Sequence, residues 1–391
     1  MLDELAAVAP FRREVREWAR AHVPPDWRAH QRGAGHHELV SFLRWWAGEL
    51  RSAGWLVPHW PREWGGGLSV VEQVVLAEEL ARGDAPGNAL YQVALYNAAP
   101  AIIHNGTDAQ RRRYLPGMLE GEVWCQGFSE PNAGSDLASL QTRAVADGDD
   151  FLISGQKIWQ SAAHHADFSL LGARTDPEAP KHRGISLFVV PMDSPGVIVR
   201  PIIDLRGSHY FNEVFFENVR VPRTNVVGEL NRGWYAMTTT LDFERSNVGQ
   251  SAQMRRNWED VAAFVKEAPP RCTGESERQR LRIELAERRL EIELARLIAY
   301  QVVSMQAHGL VPNHEASMSK LFASELTQRL AGTFMRILGL YGALDHGSRL
   351  AALDGFMTCL FLESPANTIR AGTSEIQRNI IATRGLGLPR G

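Results

Sequence analysis

The spacing of apolar residues changes twice along this 391-residue chain, and that change limits the folds open to it. Over residues 1–120, apolar side chains recur with the period of an amphipathic helix. Over 121–233 they form short runs bounded by turn residues, which is typical of strands. Over 234–391 the helical period returns. We therefore predict an α+β fold in which a helical domain at 1–120 and a helical bundle at 234–391 flank a β domain at 121–233.

The middle segment carries the strand signal. Its first clear run, 151–153, follows the turn Asp147-Gly148-Asp149, and Gly and Asp are common turn residues. Further runs lie at 168–172, 185–190, 197–199 and 214–216. Short strands at this density predict a small β-barrel or sandwich.

The C-terminal segment contains a long helix that is apolar on two faces. One face carries Leu281, Leu285, Ile292, Ala295, Ala299 and Val302, and the second carries Ile283, Leu290, Leu294 and Leu297. A helix that is apolar on more than one face is expected to pack against several neighbours, so a bundle is predicted here.

Charge and cysteine content exclude several function classes. The chain has 42 basic and 45 acidic residues, which indicates neither a nucleic-acid nor a membrane partner. The short run Arg111–Arg113 is interpreted as a solvated helix end in a polar turn. Three widely separated cysteines argue against a disulfide framework, a zinc site or an iron–sulfur site, so we predict no metal.

The chain is expected to be a soluble cytoplasmic protein. No apolar run approaches the roughly 20 residues that a membrane-spanning helix needs. The first 20 residues mix charged and apolar side chains in the pattern of an amphipathic helix, and this differs from the apolar centre of a signal peptide. The odd, low cysteine count also fits a reducing compartment.

Two motifs in the middle segment carry the chemistry. At 128–136 the sequence reads Phe-Ser-Glu-Pro-Asn-Ala-Gly-Ser-Asp, a tight turn rich in backbone N–H donors and hydroxyls. At 155–161 it reads Gly-Gln-Lys-Ile-Trp-Gln-Ser, which places an indole and a hydroxyl at the end of a strand. Together they suit a flat polar ring system. Taken singly, the first is a surface turn and Trp159 is a core residue.

The two motifs together resemble the flavin-binding segments of the acyl-CoA dehydrogenase family. The resemblance extends to 211–216, 241–245 and 372–378, and is strongest to actinobacterial members. It implies helices, a β-barrel and a helical bundle in that order. It also implies FAD as cofactor and an α,β-dehydrogenation of an acyl-CoA thioester, in which a carboxylate removes the α-proton and the β-hydride passes to flavin N5.

The resemblance implies which residues hold the flavin ring. Gln126, Phe128 and Ser129 would line it, with Ser129 at the pyrimidine end. Trp159 would pack against the ring and Ser161 would donate toward N5. A reduced flavin carries negative charge, which such donors stabilise. Serine replaces the threonine that is common in the family at 129 and 161, but the hydroxyl is kept.

Residues of the last segment are implied at the phosphate and adenine end of FAD. Gly372, Thr373 and Glu375 resemble the part that meets the phosphate and ribose. Arg336 opens a stretch that reaches FAD from a neighbouring subunit in family members. The Arg and Phe-Gly pair that many relatives carry after the Glu244 helix is absent near 265–280.

The catalytic base is expected at an alternative family position. Much of the family has a glutamate directly before the Gly-Thr pair, where this chain has Ala371. Glu244 matches a second location on the helix that opens the bundle. Asp242 and Arg245 would orient the base or touch CoA, and Ser135 would lie near the CoA pyrophosphate. A glutamate and an arginine at 244 and 245 are otherwise ordinary surface charges.

Three functions remain open from the sequence. The first is an acyl-CoA dehydrogenase of fatty-acid or sterol side-chain β-oxidation that passes electrons to an electron-transfer flavoprotein, as a homo-oligomer or an α2β2 assembly with a related subunit. The second is a non-catalytic subunit that completes the flavin site of a partner. The third keeps the fold but uses oxygen or acyl-carrier-protein thioesters. Acyl chain length and branching are not encoded in these motifs.

Overall fold

The computed structural model describes residues 6–28, 36–243, 248–267 and 274–389. The chain divides into two compact units. One comprises 1–35, 67–86 and 245–391, and the other comprises 36–66 and 87–244. The order of elements is helices, then strands, then helices, which confirms the predicted α+β class.

The unit that holds the strands also holds several helices, among them α2 (His36–Ser52), α4 (Ala99–Asn105) and α5 (Asp108–Glu120). The Thr107 side chain accepts a hydrogen bond from Gln110 N and so caps α5, and the helix ends at Gly121 in the left-handed region. Arg111–Arg113 lie near the start of α5, so their placement in a polar turn was wrong, whereas the solvent exposure predicted for them is confirmed at Arg112 and Arg113. The capping box, which the basic run does not show, sets where the helix begins.

A π-helical turn at Val93–Ala98 precedes α4 and leaves one carbonyl free of the helix. Ala99 N–H donates to Ala94 O, and Pro100 has no N–H to offer to Leu95 O. The Leu95 carbonyl instead accepts from the indole of Trp60 at 2.9 Å and pairs with the ring of His59 at 3.1 Å.

The described residues form eight strands in one sheet. The strands are β1 (Trp124–Gly127), β2 (Arg143–Asp147), β3 (Asp150–Ser161), β4 (Phe168–Arg174), β5 (Ile185–Pro191), β6 (Val197–Ile203), β7 (His209–Pro222) and β8 (Val226–Val227). Their order in the sheet is β6-β7-β3-β2-β4-β5-β8, and β1 pairs in parallel with β4. Gly148, at φ +63°, makes the tight turn between β2 and β3. All five predicted runs lie in strands, and Phe151, Phe188 and Val214 are among the side chains of the sheet's apolar core. Helix α6 (Gly233–Phe243) follows the strands in the same unit.

The other unit is helical. Its core includes Met254, Leu326 and Phe334. A charge network joins three of its helices, because Glu79, which is 1% exposed, pairs with Arg12 and the neighbouring Glu78 pairs with Arg296. The helices are α1 (Ala9–His22), α3 (Val70–Arg82), α7 (Val248–Glu267), α8 (Glu275–Ala307), α9 (His314–Leu338), α10 (Phe356–Asn367) and α11 (Ser374–Ile380).

The two apolar faces of α8 have different surroundings. The first face packs in the unit, with Leu281 and Ile292 in the helical core. The second face is exposed, so the described residues of this chain do not supply the neighbours that were predicted for it. The exposed fractions are Ile283 56%, Leu290 68%, Leu294 51% and Leu297 58%.

None of the described helices combines the length and the apolar character that a membrane-spanning helix needs.

Candidate functional site

The loop that follows β1 is pinned by backbone hydrogen bonds. Ile158 N–H, on β3, donates to Ser129 O at 3.0 Å. Within the loop, Glu130 and Ala133 exchange two hydrogen bonds of 3.0 and 3.1 Å. Phe128 is buried, while the side chain of Ser129 is half-buried. The predicted ring-binding loop is thus held in register with the strand that carries Trp159.

A buried ion pair lies behind this loop. The ammonium of Lys157, which is fully buried, donates to Glu130 Oε1 at 2.8 Å and to Phe128 O at 2.9 Å. The Glu130 carboxylate also accepts from the backbone N–H groups of Gln141 at 2.7 Å and Thr142 at 2.8 Å. Burial raises the pKa of Glu130, but the Lys157 charge and these donors outweigh it and hold that pKa below its usual value. Burial lowers the pKa of Lys157 to about 8, against the effect of Glu130.

Trp159 occupies a strained position next to the loop. Its φ is +64°, a conformation that bulky residues rarely adopt, and the pairing of β3 with β7 shifts register between Lys157 and Gln160. The indole is 57% exposed and meets the Phe211 ring edge to face, with centroids 6.3 Å apart. The structure therefore turns a large flat side chain outward, and the core placement of Trp159 was wrong. Strain of this kind is typical of binding sites.

Several donors around this loop, two of them on predicted site residues, have no acceptor among the described residues. The Ser129 N–H forms no hydrogen bond there, and the buried Nε2 of Gln126 has no partner either. Unpaired buried donors cost free energy unless a ligand or water meets them. Next to Gln126, burial raises the pKa of the Cys125 thiol to about 12, so this cysteine is a core residue.

A histidine–asparagine cluster at the end of β3 was missed by sequence reasoning. Asn212, fully buried on β7, donates from Nδ2 to Gln160 O at 3.0 Å, which turns its Oδ1 toward His209 at 2.8 Å. His164 Nδ1 lies 3.1 Å from the same Nδ2. These contacts brace the backbone just before Ser161, on one wall of a cavity of about 370 Å³. The two histidines after Ser161 were the available signal, but their partner lies on another strand.

The tail residues predicted at the phosphate end lie together in the helical unit. Thr373 caps α11 by accepting from Ile376 N, so its side chain has a local role, and Glu375 lies in the first turn. Lys320 donates to Gly372 O at 2.6 Å and to Asn367 O at 3.2 Å, which fixes the turn. Burial, followed by the nearby Arg370, lowers the pKa of Lys320 to about 8.

Ala371, where much of the family has its base, is exposed and has a φ of +54°. Arg336, on α9, pairs with Glu284 at 2.8 Å and donates to Thr333 Oγ1 at 3.1 Å. Its guanidinium remains half-exposed, so it has surface available for a further partner.

The remaining predicted residues differ in what the structure says of them. Glu244 and Arg245 lie outside the described residues. Asp242 lies in the last turn of α6, and its side chain is not described. Ser135 is exposed, next to Asp136, which pairs with Lys181 at 2.7 Å.

The predicted site residues therefore form two groups. Gln126, Phe128, Ser129, Trp159 and Ser161 lie on one loop and two strands of the β unit. Gly372, Thr373 and Glu375 form a second group in the helical unit, and Arg336 lies on another helix of that unit. The first group fits an isoalloxazine ring, because it offers an exposed flat side chain and unpaired hydrogen-bond donors. The Glu130 carboxylate of the same loop is already paired with Lys157.

The chain is similar in sequence to known proteins along most of its length. Three family models match: acyl-CoA dehydrogenase N-terminal domain over 8–122, middle domain over 125–219 and C-terminal domain over 231–386. The chain is similar to acyl-CoA dehydrogenase IpdE1 of Mycolicibacterium smegmatis, with 37% identity over 98% of each chain.

Two solved structures are also similar. The Tcur3481-Tcur3483 steroid ACAD matches with a TM-score of 0.87 and 36% identity, over 99% of this chain and 98% of that one. The ChsE4-ChsE5 complex from Mycobacterium tuberculosis matches with a TM-score of 0.84 and 32% identity, over 98% of this chain and 99% of that one.

Proposed function

Since the chain belongs to the acyl-CoA dehydrogenase family, we propose that it catalyses the FAD-dependent α,β-dehydrogenation of an acyl-CoA thioester. The arrangement around Trp159 carries the proposal. An exposed, strained indole stands next to a loop that has an unpaired backbone donor at Ser129 and is fixed from behind by Lys157. A flat ring with polar edges satisfies both features at once.

Each group of residues has a separate task. Gln126, Phe128, Ser129 and Trp159 hold the ring, and the Ser161 hydroxyl donates to its reacting edge. FAD, when bound, supplies the acceptor for the hydride that leaves the acyl β-carbon. Gly372, Thr373, Glu375 and Arg336 bind its phosphate and adenine end.

Glu244 is the proposed base that removes the α-proton. The tail position before Gly372 is an alanine, so no carboxylate is available there. Asp242 and Arg245 orient the base or contact CoA, and the exposed Ser135 contacts the CoA pyrophosphate. An electron-transfer flavoprotein then takes the electrons.

The substrate class is proposed from the relatives. One similar structure is a steroid ACAD, which supports an acyl-CoA derived from a sterol side chain or ring. Two of the similar structures contain two different proteins by name, which supports an α2β2 assembly with a related subunit. The exposed apolar face of α8 supports an oligomer in either form.

An anaerobic titration of the purified chain tests the proposal. The oxidised-flavin absorbance is followed as straight-chain, branched and sterol-derived acyl-CoAs are added, with Glu244→Gln as the matched control. Bleaching by one class in the native chain, and none in the variant, is expected. Bound flavin that no thioester bleaches contradicts the proposal, and bleaching only by carrier-protein thioesters assigns a different substrate. If air reoxidises the bleached protein rapidly, oxygen takes the place of the electron-transfer flavoprotein as electron acceptor, and the chain is an oxidase.

A second candidate is a non-catalytic subunit that completes the flavin site of a partner. The alanine at 371 favours it, because the chain lacks the common base. In that case the chain expressed alone holds no FAD and gains it on co-expression with a related subunit. FAD retained by the chain alone excludes this candidate.

A further inference from the structure

Lys157 is fully buried, and the proposed proton and hydride transfers do not involve it. Its ammonium contacts the Glu130 carboxylate and the Phe128 carbonyl, at 2.8 and 2.9 Å. The carboxylate already has two other donors, the backbone N–H groups of Gln141 and Thr142. Compensation of the Glu130 charge therefore explains the first contact of Lys157 but not the second. In the second contact the ammonium donates to the backbone carbonyl of Phe128.

The geometry of the peptide group gives this second contact a consequence. The peptide that joins Phe128 to Ser129 is trans, as are all peptides that the structure describes. In a trans peptide the C=O and the N–H point in opposite directions. Because Lys157 draws Phe128 O toward the interior, the Ser129 N–H is directed away from it. That N–H has no acceptor in the described part of the chain.

Neighbouring contacts keep this peptide from rotating. Ser129 O accepts from Ile158 N–H, and Glu130 N–H donates to Ala133 O, so the next peptide is also occupied. Of these two adjacent peptides, the Phe128–Ser129 peptide is thus the one whose donor stays available among the described residues. A buried ion pair is often replaceable by apolar residues without loss of stability, so stability alone does not account for Lys157.

We propose that Lys157 is a positioning residue that orients the Ser129 N–H toward a pyrimidine oxygen of the bound flavin. This inference rests on the proposed function, because it takes the ligand of the loop to be FAD. The side chain does not touch the ligand. It acts through one peptide group, and its effect is confined to the oxygen that this peptide meets.

Flavins with sulfur in place of one pyrimidine oxygen test the contact directly. Sulfur accepts hydrogen bonds weakly, so 2-thio-FAD or 4-thio-FAD, whichever loses the oxygen at the contact, should bind the native apoprotein about tenfold more weakly than FAD. The other analogue should bind as FAD does. Dissociation constants are measured by fluorescence titration, without turnover.

The variant Lys157→Met removes the ammonium and keeps the length of the side chain. The variant should bind FAD about tenfold more weakly than the native apoprotein does. Its affinity for FAD should equal its affinity for the thio analogue that lacks the oxygen at the Ser129 contact. Lys181→Met is the matched control, because Lys181 pairs with the same loop through Asp136 but is exposed. It should leave all three dissociation constants unchanged. If Lys157→Met does not fold, the double variant Lys157→Met with Glu130→Gln removes the buried charge as well.

Each outcome decides one question. A native chain that binds no FAD contradicts the proposed function. A native chain that binds FAD and both analogues equally overturns the positioning role, as does a Lys157→Met variant that keeps the native discrimination. An equal loss of affinity for all three flavins assigns Lys157 to general folding of the loop and also overturns it. The same conclusion follows if neither variant folds.

Discussion

The rings of Trp159 and Phe211 meet edge to face at 86°, with their centroids 6.3 Å apart. Phe211 lies on β7, opposite Ser161 of β3, so the indole is braced by the strand that also supports the hydroxyl. More than half of the surface of Trp159 is exposed. A side chain that is held on one side and open on the other can stack on a ligand without reorganisation.

Replacement of this indole should weaken cofactor binding and leave the fold intact. Trp159→Ala removes an exposed ring, so the melting temperature of the apoprotein should change little. The lost stacking surface should raise the FAD dissociation constant roughly 10- to 100-fold. Trp45→Ala, which removes another exposed indole, is the control and should leave FAD binding unchanged. Equal FAD affinity in both variants would count against the ring site.

Glu244 gives the clearest kinetic prediction. Glu244→Gln keeps the size of the side chain and removes the base, so bound FAD should be retained while the rate of flavin reduction by acyl-CoA falls at least about 100-fold. Stopped-flow absorbance under anaerobic conditions measures that rate. Glu229→Gln, an exposed carboxylate in the same unit, should reduce at the native rate. A native rate in Glu244→Gln would move the base elsewhere.

Sequence periodicity was sufficient to predict the helices and strands. It was not sufficient to predict which of their side chains are buried or what those side chains contact. The apolar runs that lie in β3, β4 and β5 could be predicted because apolar and polar residues alternate along strands and turn residues bound them. The Lys157–Glu130 pair was not, because a lysine in a strand ordinarily marks an exposed position. Burial of that side chain is decided by the loop that folds over it.

Contacts between distant segments escaped prediction for a related reason. Asn212 and His164 are brought together by the pairing of β7 with β3, and no local pattern encodes that register. The pairing of β3 with β7 also shifts register after Lys157, where Trp159 has a positive φ. The sequence does not predict that shift either. The motif at 155–161 nevertheless pointed to Trp159, because an indole and a hydroxyl close a strand there.

His59 predicts a specific loss of stability in acid. Burial, only partly offset by the hydrogen bond to Leu95 O, lowers its pKa to about 4, below the value near 6.5 of an unfolded histidine. Between these values the unfolded chain binds a proton that the folded chain does not, so stability is lost as pH falls from 6.5 to 4. From pH 7.5 to pH 5 this loss amounts to about 2 kcal/mol.

The test compares urea unfolding of the native chain with His59→Phe at both pH values. Phenylalanine keeps an aromatic ring against Tyr96, whose ring stacks on His59 at 4.5 Å, and Trp60 still donates to Leu95 O. The variant should lose about 2 kcal/mol less than the native chain on acidification. Parallel losses in the two proteins would show that His59 is protonated while folded.

The second face of α8 predicts which surface forms the contact between subunits in the proposed oligomer. Ile283, Leu290, Leu294 and Leu297 recur at intervals of seven, four and three, which places them on one stripe of the helix, and all are more than half exposed. Four such side chains on one stripe are typical of a surface that another chain covers. Because the stripe lies outside the core of its own unit, charged residues there should not unfold the chain.

Leu290→Glu combined with Leu294→Glu should therefore lower the molecular mass in sedimentation velocity to that of a smaller assembly, with unchanged far-ultraviolet circular dichroism. Arg282→Glu, an exposed charge on the same helix, is the control and should sediment as the native protein does. Burial of two leucines is worth roughly 3–6 kcal/mol, so the dissociation constant should rise by at least about 100-fold. A double variant that sediments at the native mass would place the contact between subunits on another surface.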